Sequence, residues 1–332
     1  MSVRDLIIIG AGPSGLSAAI AAKQRGLDYL VLEQGTLVNS IYRFPPQMVF
    51  FTTPELLEIG GLPFVSPFEK PTRVEALKYY RRVVDTYDLR IVYQEKALLV
   101  ERDEDAADRV FAIESRSHRG VKRIRRGRHV VFAIGYYDHP NLLHVAGEDL
   151  PHVHHYYSEP HAFYRQRVVI VGGGNSAAEA ALELYRAGAR VTLVHRAAEL
   201  KSTIKYWVRP DIDNRIKEGS ITARFNACVR EIRPTSVVVT GGAGGFEEDI
   251  PADAVFLLTG YRADSALMTK AGITLNEREA PVHDPDTFET NVPGLFVAGG
   301  AIAGVDTGTI FIENGRFHGE KIVDVIANHL RR

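Results

Sequence analysis

The chain has 332 residues, a formal net charge of -1, 45% hydrophobic and 24% charged residues, an ordinary globular composition with length enough for two domains. The near-neutral balance excludes a global attraction to nucleic acid or anionic lipid, and no apolar run reads as a signal peptide or membrane span. The single cysteine, Cys228, excludes an internal disulfide and points to a cytoplasmic setting.

Leu6 to Ile9 is a short, wholly apolar, β-branched run, which predicts a parallel strand buried on both faces. Glycines follow, then an Ala/Leu/Ile-rich helix over Ser14 to Arg25 and a second strand over Tyr29 to Leu32. A helix is predicted over Thr72 to Tyr87, with strands near Arg90 to Tyr93, Leu98 to Arg102, Val110 to Glu114 and Val130 to Ile134. The acidic run Glu101 to Asp105 reads as a loop, and the basic stretch Arg119 to His129 as a solvated hairpin. Pro151 to Arg167, rich in Pro, His and Tyr, reads as a wet interdomain linker. Its histidines, His152, His154, His155 and His161, fit no zinc spacing, so no metal is expected. The strand–glycine–helix–strand order then recurs at Val168 to Val171, Gly172 to Gly174, Ser176 to Arg186 and Val191 to Val194. Phe225 to Arg230 predicts a strand that buries Cys228 as a structural thiol, and Gly241 to Gly245 a hairpin loop.

Gly10-Ala-Gly12-Pro13-Ser14-Gly15 matches G-x-G-x-x-G on a strand–turn–helix. Gly10 permits the tight turn, Gly12 lets the backbone approach a pyrophosphate, and Gly15 lets helix and strand pack closely. Glu33 closes the second strand, followed by Gln34. A carboxylate there accepts from ribose hydroxyls and repels a 2′-phosphate, which favours FAD over NADPH at this site. Gly172-Gly-Gly174-Asn175-Ser176-Ala177 is the second such turn, and His195 with Arg196 stands where Glu33 stands in the first. With the acid gone, Arg196 can grip a 2′-phosphate, which assigns NADPH to this site. Lys201 is a third phosphate contact or a solvated lysine; Glu179 faces the nicotinamide end or is a plain helix acid. The expected architecture is α/β: two Rossmann-like three-layer dinucleotide-binding domains, FAD on residues 1–158 and 262–332, NADPH on the inserted residues 159–261.

Thr290-Asn-Val-Pro-Gly-Leu-Phe-Val-Ala-Gly299-Gly300 resembles the C-terminal FAD motif of two-dinucleotide flavoproteins, which normally ends in an Asp that holds the ribityl chain; here Gly300 takes that place. Ala133-Ile-Gly135 and Leu258-Thr-Gly260 resemble the short crossovers that end both domains in such proteins. After the C-terminal motif, a helix starting near Gly308-Thr309-Ile310 is expected to aim its N-terminus at the charge a reduced flavin gathers near N1 and O2.

The paired units resemble the thioredoxin reductase-like flavoproteins. Four stretches narrow the likeness: Phe50-Phe-Thr-Thr-Pro-Glu-Leu-Leu-Glu-Ile-Gly60, Lys70-Pro-Thr-Arg-Val-Glu-Ala-Leu-Lys-Tyr-Tyr80, Gly135-Tyr-Tyr-Asp-His-Pro-Asn141 and Ile310-Phe-Ile-Glu-Asn-Gly-Arg-Phe-His-Gly319. They resemble the YpdA-type bacillithiol disulfide reductases, also called bacilliredoxin reductases, essentially end to end. The resemblance implies FAD, NADPH, a cytoplasmic homodimer, and reduction of bacillithiol disulfide or of the mixed disulfide on a bacilliredoxin. It also implies Gln47, Thr53 and His318 as flavin-ring neighbours. That family commonly carries a cysteine where this chain has Ser14, and a serine hydroxyl forms no mixed disulfide, so thiol chemistry does not transfer to Ser14. With no Cys-x-x-Cys, a dithiol relay is excluded as well. The competing expectations are a ferredoxin–NADP reductase of the thioredoxin reductase-like type, which also lacks the cysteine pair, and a non-catalytic flavin/NADPH redox sensor.

Overall fold

Alternation within the first apolar run decides the layering. In the computed structural model, which describes residues 3–103, 110–241 and 245–331, Leu6 and Ile8 face one buried cluster while Ile7 and Ile9 face another. That is the two-faced burial demanded of a central parallel strand.

The chain divides into two units, Met1–His139 with Tyr261–Arg332, and Pro140–Gly260. In chain order the first contributes β1 (Arg4–Ile9), α1 (Pro13–Gln24), β2 (Tyr29–Leu32), α2 (Asn39–Tyr42), α3 (Arg73–Tyr87), β3 (Ile91–Val92), β4 (Glu95–Arg102), β5 (Phe111–Ser117) and β6 (Lys122–Phe132). The helix α3 starts where Thr72 and Glu75 close a reciprocal capping box, which satisfies two free backbone donors at once. The second unit contributes β7 (Val153–His154), β8 (Arg167–Val171), α4 (Asn175–Arg186), β9 (Arg190–Val194), α5 (Arg209–Lys217), β10 (Thr222–Arg224), β11 (Ala227–Arg233), β12 (Ser236–Gly241), β13 (Phe246–Pro251) and β14 (Ala254–Leu257). The chain returns to the first unit with α6 (Ser265–Lys270), β15 (Leu295–Val297), α7 (Ile312–Gly315) and α8 (His318–Leu330).

The first unit is built on a seven-stranded sheet in the order β3-β2-β1-β6-β5-β4, with β15 also paired to β6. β1, β2, β3, β6 and β15 run parallel, whereas β4, β5 and β6 form an antiparallel meander. On one face α1, α3 and α8 cover Leu6, Ile8 and Val131. α8 crosses α1 so closely that a Cβ on Gly319 would lie 2.3 Å from the Ala18 backbone nitrogen. The second unit repeats the scheme with a five-stranded sheet, β10-β9-β8-β14-β7, and adds the antiparallel sheet β11-β12-β13. Val168 and Ile170 pack with α4, while Val169 and Val171 pack with Val237 and Val239 of β12. The α/β class and the parallel sheets match expectation.

Four local expectations are corrected. Residues 140–158, expected with the FAD domain, belong to the second unit: β7 pairs in parallel with β14 at Val255 and Phe256, and the His154 ring lies 5.0 Å from that of Phe256. The stretch read as linker is therefore partly an edge strand. The basic stretch is indeed one arm of the β5–β6 hairpin, but it is not merely solvated, since Arg123 and Arg125 both pair with the buried Glu95. Cys228 lies exposed on the edge strand β11 rather than buried. The helix expected from Gly308 starts only at Ile312 and lasts four residues. Residues 242–244 of the glycine hairpin loop and 104–105 of the acidic run lie outside the described residues. Among the described residues no helix is long and apolar enough to cross a membrane.

Candidate functional site: two glycine cradles

Each unit carries one cradle, and the two are built by the same close approaches. In the first, Gly10 has φ of +107°, and a Cβ there would sit 2.3 Å from the Ala133 carbonyl oxygen. In the second, Gly172 has φ of +154°, and its Cβ would sit 2.5 Å from the Leu258 carbonyl oxygen. Each tight turn thus lies under the end of a neighbouring strand, on the crossovers Ala133–Gly135 and Leu258–Gly260. A Cβ on Gly15 would come within 2.0 Å of the Gly10 carbonyl oxygen, which fixes how tightly α1 meets β1. Ala177 holds the matching place on α4 and touches the Gly172 position at 3.0 Å.

Gly12 differs from its neighbours. It is the N-cap of α1, with φ of -75°, and no atom of the described residues lies within 4 Å of where its Cβ would project. Open space in front of a helix N-terminus, whose first backbone N–H groups lack helical partners, suits a phosphate. Pro13 sits at the first turn, where its missing N–H costs nothing.

Glu33 is buried. One carboxylate oxygen accepts from the Ala11 N–H at 2.8 Å and the other from the Gly35 N–H at 2.7 Å. Burial raises its pKa despite these two bonds, which pull the other way. The carboxylate therefore pins the glycine turn to the end of β2 and keeps lone pairs free to accept further bonds. Gln34 donates to Asp138 at 2.8 Å, as do Asn39 and Arg43 at 3.3 and 2.7 Å. Sequence reasoning missed Asp138, although it lies within one of the stretches that carry the family resemblance.

The C-terminal motif closes over the same turn. The Ser14 hydroxyl donates to the Gly315 carbonyl at 3.0 Å. A Cβ on Gly299 would lie 2.3 Å from the Ser14 Oγ, and one on Gly315 would lie 3.6 Å from Ile310. Ser14 is thus a packing and hydrogen-bonding residue. Gly300 has its own reason to be glycine: a Cβ there would lie 2.7 Å from the Tyr136 ring. Thr309 is exposed and its carbonyl accepts from Asn314. With only four residues in α7, little helix dipole stands behind Thr309 and Ile310. Gln47 is exposed, and Thr53 borders an open groove of about 410 Å³ with Glu55, Glu58 and Phe68.

His318 lies beneath the motif. Its Nδ1 accepts from the Gly299 N–H at 3.1 Å, and its ring stacks on Phe288 at 4.3 Å. Burial, helped by Lys321 and His283, pushes its pKa down to about 4. The lowered pKa means that the fold favours the neutral ring, a contribution intact above pH 6.5 and lost as pH falls toward 4. Acidification over that window should remove up to about 3 kcal/mol of stability. His318→Asn, which keeps an acceptor for Gly299, should lose less between pH 7 and pH 4.5 in urea titrations.

In the second cradle His195 is buried, and its ring lies flat on Gly173, where a Cβ would meet the ring atoms at 2.3–2.5 Å. Arg196 and Lys201 are exposed, and the Lys201 backbone N–H donates to the Gly173 carbonyl at 2.9 Å. Burial first, then the charges of Lys201 and Arg196, lower the His195 pKa. Two cations therefore stand near a neutral imidazole beside the glycine turn, and an anion there would relieve their repulsion. Arg209, not foreseen, braces this loop through the carbonyls of Leu200 and Lys201. Asn175 also holds local backbone, accepting from the Lys205 N–H and donating to Thr203. Ser176, beside it on the first turn of α4, is exposed.

Glu179 is half-buried one turn further on, and its carboxyl is pushed up to about 7 by burial and by Glu183, against the pull of Lys205. Because the folded-state pKa is raised, ionisation between pH 4.5 and 7 costs stability. Glu179→Gln should therefore raise stability by about 1–3 kcal/mol at pH 8 and by nothing near pH 4.5, measured by denaturant unfolding at both pH values.

Residues 7–299 match the profile of the pyridine nucleotide-disulphide oxidoreductase family. The chain is 43% identical to bacilliredoxin reductase Bdr of Bacillus subtilis (strain 168), over 97% of both chains. Among solved structures it is similar to bacillithiol disulfide reductase Bdr (YpdA) from Bacillus cereus, at 40% identity and a TM-score of 0.95, over 99% of this chain and 100% of that one. It is similar also to Bdr from Staphylococcus aureus, at 39% identity and 0.92, over 99% of each. Two glycine cradles in a twofold-repeated α/β chain, and likeness of this extent along its whole length, place the chain in the pyridine nucleotide-disulphide oxidoreductase family, among its bacilliredoxin reductases of the Bdr type.

Proposed function

We propose that the chain is an NADPH-dependent flavoprotein reductase acting on a bacillithiol-containing disulfide, either bacillithiol disulfide itself or the mixed disulfide on a bacilliredoxin. End-to-end identity to Bdr is the observation that carries this reading. The cofactors are FAD and NADPH. The net reaction takes one NADPH and one proton per disulfide and returns two thiols and NADP⁺. Bound FAD supplies the two-electron step between nicotinamide and disulfide. The protein binds, orients and excludes water.

In this reading FAD lies on the first unit. The α1 N-terminus at Gly12, Pro13 and Ser14 takes the pyrophosphate. Glu33 takes the adenosine ribose, with Gln34 beside it. Gly10, Gly15, Ala133, Gly135, Gly299 and Gly300 hold the surrounding backbone close, and Gln47, Thr53, Thr309 and Ile310 lie toward the flavin. NADPH lies on the second unit. Gly172, Gly174, Asn175, Ser176 and Ala177 form the pyrophosphate turn, with the Gly260 crossover beside it. His195, Arg196 and Lys201 serve the 2′-phosphate and Glu179 the nicotinamide end. A cytoplasmic homodimer belongs to the same proposal, since a low-molecular-weight thiol system works where thiols are kept reduced.

Mixing the purified chain with NADPH and then offering bacillithiol disulfide, a bacillithiolated bacilliredoxin or ferredoxin tests the reading. Turnover with either bacillithiol species supports it. Turnover with ferredoxin alone moves the chain to the ferredoxin–NADP reductases, and flavin that NADPH fails to bleach overturns the proposal. Cys228 is exposed and stands on the second unit. Cys228→Ser should therefore leave turnover with the preferred acceptor unchanged, in the same assay.

A further inference from the structure

Position 300 is glycine although no left-handed turn is required there; its φ is not positive, unlike that of Gly299 at +60°. The reason is its neighbour. A Cβ at 300 would meet Cδ1 and Cε1 of Tyr136 at 2.7 and 2.9 Å, and the Gly135 Cα at 3.5 Å. Tyr136 follows Gly135, whose φ of +63° turns the chain at the end of the β6 crossover. The aromatic ring thus fills the volume that a side chain at 300 would otherwise take. Its hydroxyl makes no hydrogen bond to another described residue, and a phenol, whose pKa burial here raises further, is protonated and able to donate.

The position of this hydroxyl along the cradle selects its ligand. Gly299 abuts Ser14 in the first turn of α1, where the pyrophosphate would sit. Glu33 marks the adenosine side of that pyrophosphate, bonded to the turn at Ala11. The other side of the pyrophosphate in FAD is the ribityl chain, a row of hydroxyls that both donate and accept. The Tyr136 phenol feels the charge of Glu313 on α7 and not that of Glu33, and its ring abuts Gly300, next after Gly299, so it stands on the α7 side of the cradle rather than the adenosine side.

We propose that Tyr136 is a cofactor-contacting residue whose hydroxyl hydrogen-bonds the ribityl chain of FAD, and that Gly300 is glycine to make room for its ring. The proposal rests on FAD occupying the first unit. The polar contact at this point of the cradle then comes from the crossover rather than from the motif after β15.

The full chain, stripped of flavin, is titrated with FAD by quenching of flavin fluorescence. Tyr136→Phe keeps the ring and removes only the hydroxyl. It should weaken FAD binding about three- to tenfold while leaving the melting temperature of the flavin-free protein and the affinity for NADP⁺ unchanged. Gly300→Ala should weaken FAD binding when Tyr136 is present and have little further effect in a Tyr136→Ala background, where the ring is gone. Wild-type affinity in Tyr136→Phe, or a Gly300→Ala effect that ignores the ring, overturns the proposal. If the unaltered chain binds no FAD, the cofactor reading fails and takes this one with it. If it binds FAD and the Tyr136 variants match it, only the role of Tyr136 falls.

Discussion

Gly12→Ala should bind FAD about tenfold or more weakly and yet leave the flavin-free protein as stable as the original. Gly15→Ala should instead lower the stability of the flavin-free protein by about 3 kcal/mol or more. The two positions lie three residues apart in one motif, and the sequence pattern alone treats them alike. The structure separates them. A methyl on Gly12 projects into open space from a backbone at φ of -75°, which any residue tolerates, so the apoprotein has nothing to lose. That open space is where a pyrophosphate would approach the helix N-terminus, and the methyl would hold it off the N–H groups. A methyl on Gly15 would overlap the Gly10 carbonyl oxygen at 2.0 Å and touch the Ala133 Cβ at 3.3 Å. Neither is the far end of a flexible side chain, so α1 must lift off β1 and take its alanine face with it. Thermal melts of the flavin-free variants, run beside FAD titrations, give both numbers. Equal loss of stability in the two variants would show that Gly12 serves the fold rather than the ligand.

The same contrast explains what could be read from the chain in advance. The two cradles were legible because each needs a strand, a turn and a helix in a fixed local order, and every residue of that order is adjacent in sequence. The nineteen residues or so around the expected linker were not, because β7 is two residues long and owes its existence to pairing with β14, a partner far away along the chain. Cys228 was misplaced for a related reason. Period-two alternation says that Ala227 and Cys228 face opposite sides but not which side is covered, and on an edge strand with a register shift between Val229 and Glu231 the cover is set by the neighbouring sheet. The helix expected at Gly308 gave way to a turn closed by Asn314, whose side chain holds both the Phe311 N–H and the Thr309 carbonyl. Gly173 and Gly300 are glycines for tertiary reasons, the rings of His195 and Tyr136, and no local pattern records such a partner.

Arg196→Leu should weaken NADP⁺ binding about tenfold to a hundredfold and leave NADH almost untouched, moving the ratio of kcat/KM for the two nucleotides by the same factor. The guanidinium stands exposed after β9, with Lys201 held beside Gly173 by its own backbone bond, so the loss falls on the 2′-phosphate and not on the fold. Lys201→Ala should act in the same direction but less strongly, because an ammonium is a point charge and cannot grip a phosphate through two parallel bonds. Salt should narrow the difference between wild type and variants, since both groups are solvated. His195 offers the sharper contrast. Its ring is pressed on Gly173 with its pKa lowered, so it remains neutral and adds no charge beside Arg196 and Lys201. Replacing it by glutamate would recreate the Glu33 arrangement of the first cradle, where a buried carboxylate takes the N–H of Ala11 in the turn and that of Gly35 after β2. The His195→Glu chain should then repel a 2′-phosphate and favour NADH. Retention of full NADPH preference in both Arg196→Leu and His195→Glu would remove the 2′-phosphate from this cradle altogether. It would also leave the crowding of Arg196 and Lys201 around a neutral imidazole without a ligand to explain it.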